Sequence, residues 1–390
     1  MNLFQNLKSI IIVGLIIRFW LAFSYGTGDT GAFCDASGWL LQGKEVYNAP
    51  NIAFSAPPFG LHLTGLTHFL GNVFHLPCAG MWKMPSVLAD AGIAWLIYVI
   101  AIKYLHTDKQ KALSLTKWYM FNPIALIVSG YHGQQDAFWV FLILLAWYIM
   151  YFHKNLFLAA VTAGLSLSYK LPAILLLPGL VILIKGFMRR SLFIIIIAVV
   201  FSLSLLPEIV TSTRGVIKQS FLYSSTPGVW GFSSLASKFF INFGIAQENI
   251  KYVSILLELI MVIALFVFFV IVIKRKFNFF IYSIGVVCIF FIFSPGFGTQ
   301  YLLWPLPFLI LGRNKFLKIY TIFVTFAYLH TYGFFFPPLD FLMIFLQNNL
   351  YYKMHMLYPY DLYIPVWICF FFILGKLLFI GHATGSDKNI

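Results

Sequence analysis

The sequence predicts an all-α polytopic membrane protein of about twelve transmembrane helices. Three observations carry this. The 390 residues are 61% hydrophobic and 10% charged, against roughly half apolar and about a quarter charged in a soluble domain. The apolar residues fall in runs of roughly 15 to 22, the length that spans a bilayer as a helix. Lys and Arg sit in short clusters between those runs, as at Lys109/Lys111, Lys185/Arg189/Arg190, Lys274–Lys276 and Arg313/Lys315, and such clusters mark the cytoplasmic side. The net charge of +14 is therefore a topology signal, and no nucleic-acid partner is expected.

Taken in order, the expected spans are 9–24, 84–104, 112–130, 137–152, 155–169, 171–186, 191–209, 252–273, 278–294, 301–312, 318–334 and 363–380, with both ends cytoplasmic. Met1 to Phe23 has no small-residue cleavage site and reads as the first span rather than a signal peptide. No repeat or soluble segment interrupts the chain, so a single membrane domain, 1–390, is expected. Ten of the twelve acids, namely Asp29, Asp35, Glu45, Asp90, Asp136, Glu208, Glu248, Glu258, Asp340 and Asp361, fall on the outer side or in the outer half of a span. Longer outer loops would also collect acids, so this asymmetry alone does not identify a site.

The first extracytoplasmic loop, 25–83, carries two segments of helical spacing. In the first, Ala32, Phe33, Ala36, Trp39 and Leu40 form one apolar face, Asp29 is placed to cap the start and Gly43 to end it, so an interfacial helix is predicted. The second, Leu61 to Val73, is interrupted by His62, His68, Gly71 and Asn72 and is not expected to span. Long outer loops are expected at 210–251 and 334–362. Cys34 and Cys78 share the outer loop and could meet, but four cysteines are too few for a disulfide framework, and free thiols are expected.

The candidate site residues follow from the polar groups at span ends. Asp29 is either a helix cap or a general base for a hydroxyl, and Asp35 a second acid or a solvated one. His132, Gln134, Gln135 and Asp136 gather at one helix start, where polar side chains at membrane depth usually line a cavity; Asp136 is equally placed as a cap. Lys170, before Pro172, is a lone cation on the outer side, suited to a phosphate or to snorkelling. Gln300 and Tyr301 lie in a polar turn and are candidate donors. Arg18, inside the first span, needs a carboxylate or carbonyl partner, and Asp90 is a buried partner for some neighbouring helix. No phosphate-binding or dinucleotide Gly-rich loop occurs, no cofactor is expected, and a second His at zinc-ligand spacing is missing.

Thr27 to Pro58, with Asp29, Asp35, Trp39, Gly43, Tyr47 and Pro57-Pro58, resembles the first luminal loop of integral-membrane glycosyltransferases of the GT-C fold. Lys83-Met84-Pro85 with Asp90, Phe121-Asn122-Pro123, Gly133-Gln134-Gln135-Asp136 and Tyr169-Lys170-Leu171-Pro172 follow in the order found in GPI-mannosyltransferase-like proteins and their prokaryotic family 87 relatives. The resemblance covers roughly residues 10 to 185 and, more faintly, Phe297 to Pro305. It implies an inverting hexosyltransferase, mannose being the first guess, with a polyprenyl-phosphate-linked sugar donor, a lipid-linked or glycan acceptor, and surrounding membrane lipids. It places the active site on the extracytoplasmic or luminal face of a bacterial or archaeal plasma membrane or of the endoplasmic reticulum, with Asp29 as catalytic acid residue and Asp35 as its second. Asp29-Thr30-Gly31 departs from a strict Asp-x-Asp, which leaves a divalent metal open. A flippase for a lipid-linked sugar is the rival class; it would show pseudo-symmetric halves with midplane breaks, whereas the polar residues here gather at one face. A non-catalytic subunit of the same fold is disfavoured by the presence of both acids.

Overall fold

The structure is a computed structural model that describes residues 6–49, 54–222, 228–332 and 363–380. Among them it is helical with no strand, and it groups into two compact units divided between residues 223 and 224. In the first unit the helices are α1 (Leu7–Ser24), α2 (Gly28–Leu41), α3 (Pro58–Phe74), α4 (Cys78–Lys103), α5 (Lys109–Met120), α6 (Pro123–Ala125), α7 (Asp136–Tyr148), α8 (Leu156–Tyr169), α9 (Leu177–Leu183) and α10 (Phe187–Val216). Wider π-type turns continue α6 over Leu126–His132, α7 over Ile149–His153 and α10 over Ile217–Phe221. Five helical stretches across the two units are long and apolar enough to cross a membrane: Leu7–Ser24, Cys78–Lys103, Asp136–His153, Phe187–Phe221 and Ile250–Arg275. The shortest has 18 residues and is about 27 Å long at 1.5 Å per residue, close to the hydrocarbon thickness. The protein is an integral membrane protein.

A buried ion pair fastens α1 to α4. Arg18 Nε lies 2.7 Å from Asp90 Oδ2, both side chains fully buried. Arg18 Nη1 donates to Met120 O at 2.8 Å and Tyr119 Oη donates to Asp90 Oδ1 at 2.6 Å, which brings in α5. This supplies the partner that spacing could not name: two charges in an apolar bundle persist because each neutralises the other and the leftover lone pairs are used.

Over these helices lies the predicted loop layer. The Ala36, Val46, Tyr47, Phe54, Leu61, Trp82 and Val216 side chains form one core, against which Phe33, Trp39, Leu40 and Ala56 pack. Phe33 stacks on Trp82 with ring centroids 4.3 Å apart, so the predicted apolar face of α2 is the face that anchors it, with Ala32 alone turned outward. Two expectations are corrected here, the cap of α2 and the state of Cys34 and Cys78. Thr27, not Asp29, caps α2: its hydroxyl accepts from Thr30 N while Thr30 Oγ1 accepts from Thr27 N, and this reciprocal box leaves the Asp29 carboxylate available. Leu61 to Val73, expected to have helical spacing without spanning, lies in the continuous helix α3, which is not among the five stretches long enough to cross a membrane, and the glycines of α3 are contact points: Gly65 meets Leu40 and Gly60 meets the Tyr169 carbonyl. Cys34 and Cys78 form a disulfide, which ties α2 to the first residue of α4.

The second unit holds α11 (Gly231–Asn242), α12 (Ile250–Arg275), α13 (Phe279–Phe293), α14 (Pro305–Leu311), α15 (Leu317–Tyr332) and α16 (Ile364–Ile380). Aromatic stacking supplies much of its core: Trp230 lies on Phe297 at 4.0 Å and Phe291 on Phe370 at 4.5 Å. Helix α11 and the last turns of α10 occupy the stretch expected to be a loop from 210 to 251. The expected span 191–209 already runs through Pro207, and α10 continues beyond its expected end to Val216. The expected 334–362 loop, with Asp340 and Asp361, lies outside the described residues.

Candidate active site

The site is built where the N-terminus of α2 meets the turn Tyr131–Gln135. That turn follows a π-type segment, which shifts side-chain register and is frequent at functional sites. It is closed by Gly133 in the left-handed region, φ +80°. Helix α4 stitches it in place: Trp82 Nε1 donates to Gly133 O at 2.7 Å, Ser86 Oγ to Gln134 O at 2.9 Å, and Gln135 Nε2 to Trp82 O at 2.9 Å. The fully buried Lys83 ammonium donates to Tyr25 O at 2.7 Å and to Tyr131 O at 2.8 Å. It thereby draws the end of α1 and the end of the π segment together. Thr27 Oγ1 adds a bond to His132 O at 3.0 Å.

This scaffold aims two donors at one carboxylate oxygen. Gln134 Nε2 donates to Asp29 Oδ2 at 2.6 Å, and His132 Nε2 stands 3.0 Å from the same atom, which places the imidazole proton on Nε2. The imidazole is nearly buried and the Asp29 side chain is 55% exposed. The His132 hydrogen bond, then its charge, the Gln134 bond and the Lys170 ammonium hold the Asp29 carboxyl below its ordinary 3.8, against an opposing contribution from partial burial. Asp29 is therefore an anion at neutral pH. Oδ2 is committed to two donors, and Oδ1 accepts no hydrogen bond among the described residues.

Lys170 and Asp136 form the second element. Lys170 Nζ lies 2.8 Å from both Asp136 oxygens, with Asp136 fully buried and the lysine side chain 22% exposed. Lys170 is thus paired rather than a lone cation, and Asp136 binds it instead of capping α7, whose cap is Gln135 without a side-chain bond. Lys170 also acts electrostatically on Asp29, so the two pairs belong to one polar region.

The sequence-derived residues thus separate into groups. Asp29, His132, Gln134, Asp136 and Lys170 come together. Gln135 belongs to the stitch onto α4, its Oε1 buried without a hydrogen-bond partner. Asp35 is exposed on α2, and six residues of helix turn it about 120° away from Asp29 at 100° per residue. Gln300 and Tyr301 stand in the second unit, where Tyr301 stacks on Trp304 at 4.5 Å and the Gln300 side chain folds against Gly298. Trp82, Lys83, Ser86 and Thr27 are the working residues that site reasoning missed. Lys83 carried a signal, since a lysine at the outer end of a span is what the positive-inside rule disfavours. Among the described residues no three His, Cys, Asp or Glu side chains converge as metal ligands.

No family model matches the chain. Across the whole fold it superposes on ArnT from Cupriavidus metallidurans bound to undecaprenyl phosphate with a TM-score of 0.53 at 13% identity, covering 96% of this chain and 76% of that one. The apo state of the same protein gives 0.53 at 14% identity with the same coverage. This chain has the GT-C fold. Within that fold, sequence likeness runs to GPI mannosyltransferase 1 of Dictyostelium discoideum, 27% identical over 198 residues, 47% of this chain and 42% of that protein. The Candida albicans GPI mannosyltransferase 1 is 22% identical over 187 residues, 45% of each chain. The GT-C chain described here thus spans less than half the length of the curated relatives it matches.

Proposed function

We propose that the protein is an inverting glycosyltransferase that moves a hexose, mannose being the first to test, from a polyprenyl-phosphate-linked donor to a lipid-linked or glycan acceptor on the non-cytoplasmic face. The observation that carries the reading is the Asp29 carboxylate, with Oδ2 fixed by Gln134 and His132 and Oδ1 left open. A base held at one oxygen by neighbours from another helix presents the other in a fixed direction, which is what general-base catalysis on an acceptor hydroxyl requires. The mannosyltransferase relatives favour mannose, and the ArnT structure holding undecaprenyl phosphate favours a polyprenyl-phosphate donor. The Cys34–Cys78 disulfide favours an oxidising, non-cytoplasmic location.

In this mechanism the acceptor oxygen attacks the anomeric carbon while the bond from that carbon to the phosphate oxygen breaks. The bonding pair leaves with the phosphate, and the acceptor proton passes to Asp29 Oδ1. The configuration inverts because attack and departure are opposed. A depressed carboxyl is a weak base, so proton transfer comes late, when bond formation has made the hydroxyl acidic. The departing phosphate needs positive charge more than a proton, and the Lys170 ammonium, held by Asp136 with its side chain 22% exposed, is the cation assigned to it. Asp35, exposed on α2 and turned away from Asp29, takes no part in this step.

The test is transfer of radiolabelled sugar from a panel of polyprenyl-phospho-sugars to glycolipid acceptors, glycosylphosphatidylinositol precursors among them, with the product's anomeric configuration read by NMR. Transfer with inversion from one donor is expected. Retention of configuration, or translocation across vesicles with no donor consumed, overturns the reading.

A further inference from the structure

A second polar couple lies apart from Asp29. Glu208 sits in α10, within a stretch long and apolar enough to span the membrane, and its side chain is 10% exposed. His62 Nε2, from α3, stands 3.3 Å from Glu208 Oε1, but without the alignment of a hydrogen bond. The Glu208 carboxylate accepts no hydrogen bond among the described residues, an expensive condition for an acid in an apolar helix. The helix is also irregular on both sides of it. Pro207 removes a backbone donor, and Ser212 leaves helical geometry at φ −132°, ψ 36°. Interrupted helices and unsatisfied carboxylates inside membrane proteins occur where a ligand completes the bonding.

The couple is level with the candidate active site. Helices α8 and α10 both begin behind basic residues, Lys154 and Lys185 to Arg190, and so run in the same direction. Gly164 of α8 packs on Val200 of α10. Six residues further along each (170 − 164 = 6; 200 + 6 = 206) Lys170 comes level with position 206, so Glu208 stands within one turn of Lys170's height. Helix α3 closes the same region: Gly60 lies against the Tyr169 carbonyl, and His62 follows two residues later with its side chain 40% exposed. Tyr47, in the loop above, is raised well beyond its ordinary value, by burial first and also by the Glu208 charge, which places that phenol in the same neighbourhood.

We propose that Glu208 and His62 form a carbohydrate subsite in which the carboxylate accepts hydroxyl groups of a sugar ring and the half-exposed imidazole borders its mouth. The idea deepens the glycosyltransferase reading and rests on it for the identity of the sugar. Ring hydroxyls supply the donors that Glu208 lacks, and their source is either the donor's sugar or the acceptor's. Lys170 and Asp29, at the same level, then face the phosphate and the reacting hydroxyl while Glu208 holds a non-reacting part of the substrate.

The experiment measures binding in nanodiscs with Glu208→Gln, Glu208→Leu and His62→Ala proteins in an otherwise wild-type chain. The probes are polyprenyl-phosphomannose, polyprenyl phosphate without sugar, and octyl glucoside and octyl mannoside below their micelle concentrations as single-chain glycolipids. Loss of the sugar-dependent gain of phosphomannose over bare phosphate assigns the subsite to the donor. Loss of octyl glycoside binding with that gain intact assigns it to the acceptor. The expected loss in Glu208→Leu is at least about tenfold, the scale of one charge-assisted hydrogen bond. Thermal unfolding accompanies each variant: Glu208→Leu, which removes an unsatisfied buried charge, is expected to unfold at the same or a higher temperature. Sugar binding unchanged in the folded Glu208→Gln, Glu208→Leu and His62→Ala proteins overturns the proposal. Because these are binding measurements, a protein that transfers no sugar still gives a readable answer, and the failure of transfer is scored separately.

Discussion

Replacing Gly133 by alanine probes how tightly the site is set. An added Cβ at 133 would lie 2.6 Å from Lys83 Cε, 2.7 Å from Thr30 Cγ2 and 2.9 Å from Lys83 Cγ. Reaching an ordinary 3.4 Å from Thr30 Cγ2 opens that gap by about 0.7 Å (3.4 − 2.7). The residue is also at φ +80°, which costs a side-chain-bearing residue about 1–2 kcal/mol. The enclosed Lys83 stem has little room to yield, so the displacement falls on Thr30 and with it the N-terminal turn of α2. If α2 takes all of it, the 3.0 Å contact between Asp29 and His132 lengthens to about 3.7 Å, outside hydrogen-bonding distance. Misplacing a catalytic group by about 1 Å costs about a hundredfold in rate. Purified Gly133→Ala is therefore expected to show kcat lower by about two orders of magnitude with folding weakened by about 1–2 kcal/mol. A variant with wild-type kcat refutes the claim that this turn sets the Asp29 geometry.

Further expectations follow from the other contacts. Arg18→Leu strands the fully buried Asp90 and should cost about 3–5 kcal/mol in unfolding measurements, while Arg18→Leu/Asp90→Leu recovers most of it because no lone charge remains. Breaking the Cys34–Cys78 link, 44 residues apart, frees a loop whose closure is worth about 4 kcal/mol by chain entropy, so Cys34→Ser and added reductant should each lower the unfolding temperature, non-additively. For pH, the Asp29 carboxyl is depressed in the folded protein: its interaction with His132 is present above the unfolded value and is lost as pH falls through the folded one. The acid limb of kcat/KM should thus lie below 3.8 in wild type and move upward in His132→Ala; an unmoved limb contradicts the assignment. Asp35→Asn, exposed and turned away from the cluster, should cost less activity than Asp29→Asn, as parallel initial rates will show.

How much was legible can be traced residue by residue. The five long apolar stretches overlap intervals read from the sequence, because in a membrane both the period and the length of apolar runs are constrained, whereas the expected span 112–130 is divided between α5 and α6 at Asn122-Pro123. The face of α2 was legible for the same reason. Asp29 and the His132–Asp136 run were visible as polar groups where polarity is costly, but not their direct bonding across about a hundred positions, since nothing local encodes which span ends meet. Thr27 as cap was missed because Asp29 is the stronger capping type, and only the reciprocal Thr30 bond decides between them. The disulfide was missed because pairing depends on how α2 lies over α4, which is set by Phe33 on Trp82. Helix α10 runs past the expected end at 209 to Val216, through the polar residues Thr211 to Arg214 that read as loop.

The measurement that bears most directly on the central claim is single-turnover transfer by Asp29→Asn beside wild type, with donor affinity measured on the same preparations. The substitution keeps the shape and the place of the side chain and removes the base. Transfer lower by about 10²- to 10⁴-fold with donor affinity retained is the predicted result. Undiminished turnover would remove Asp29 from the mechanism and contradict the account.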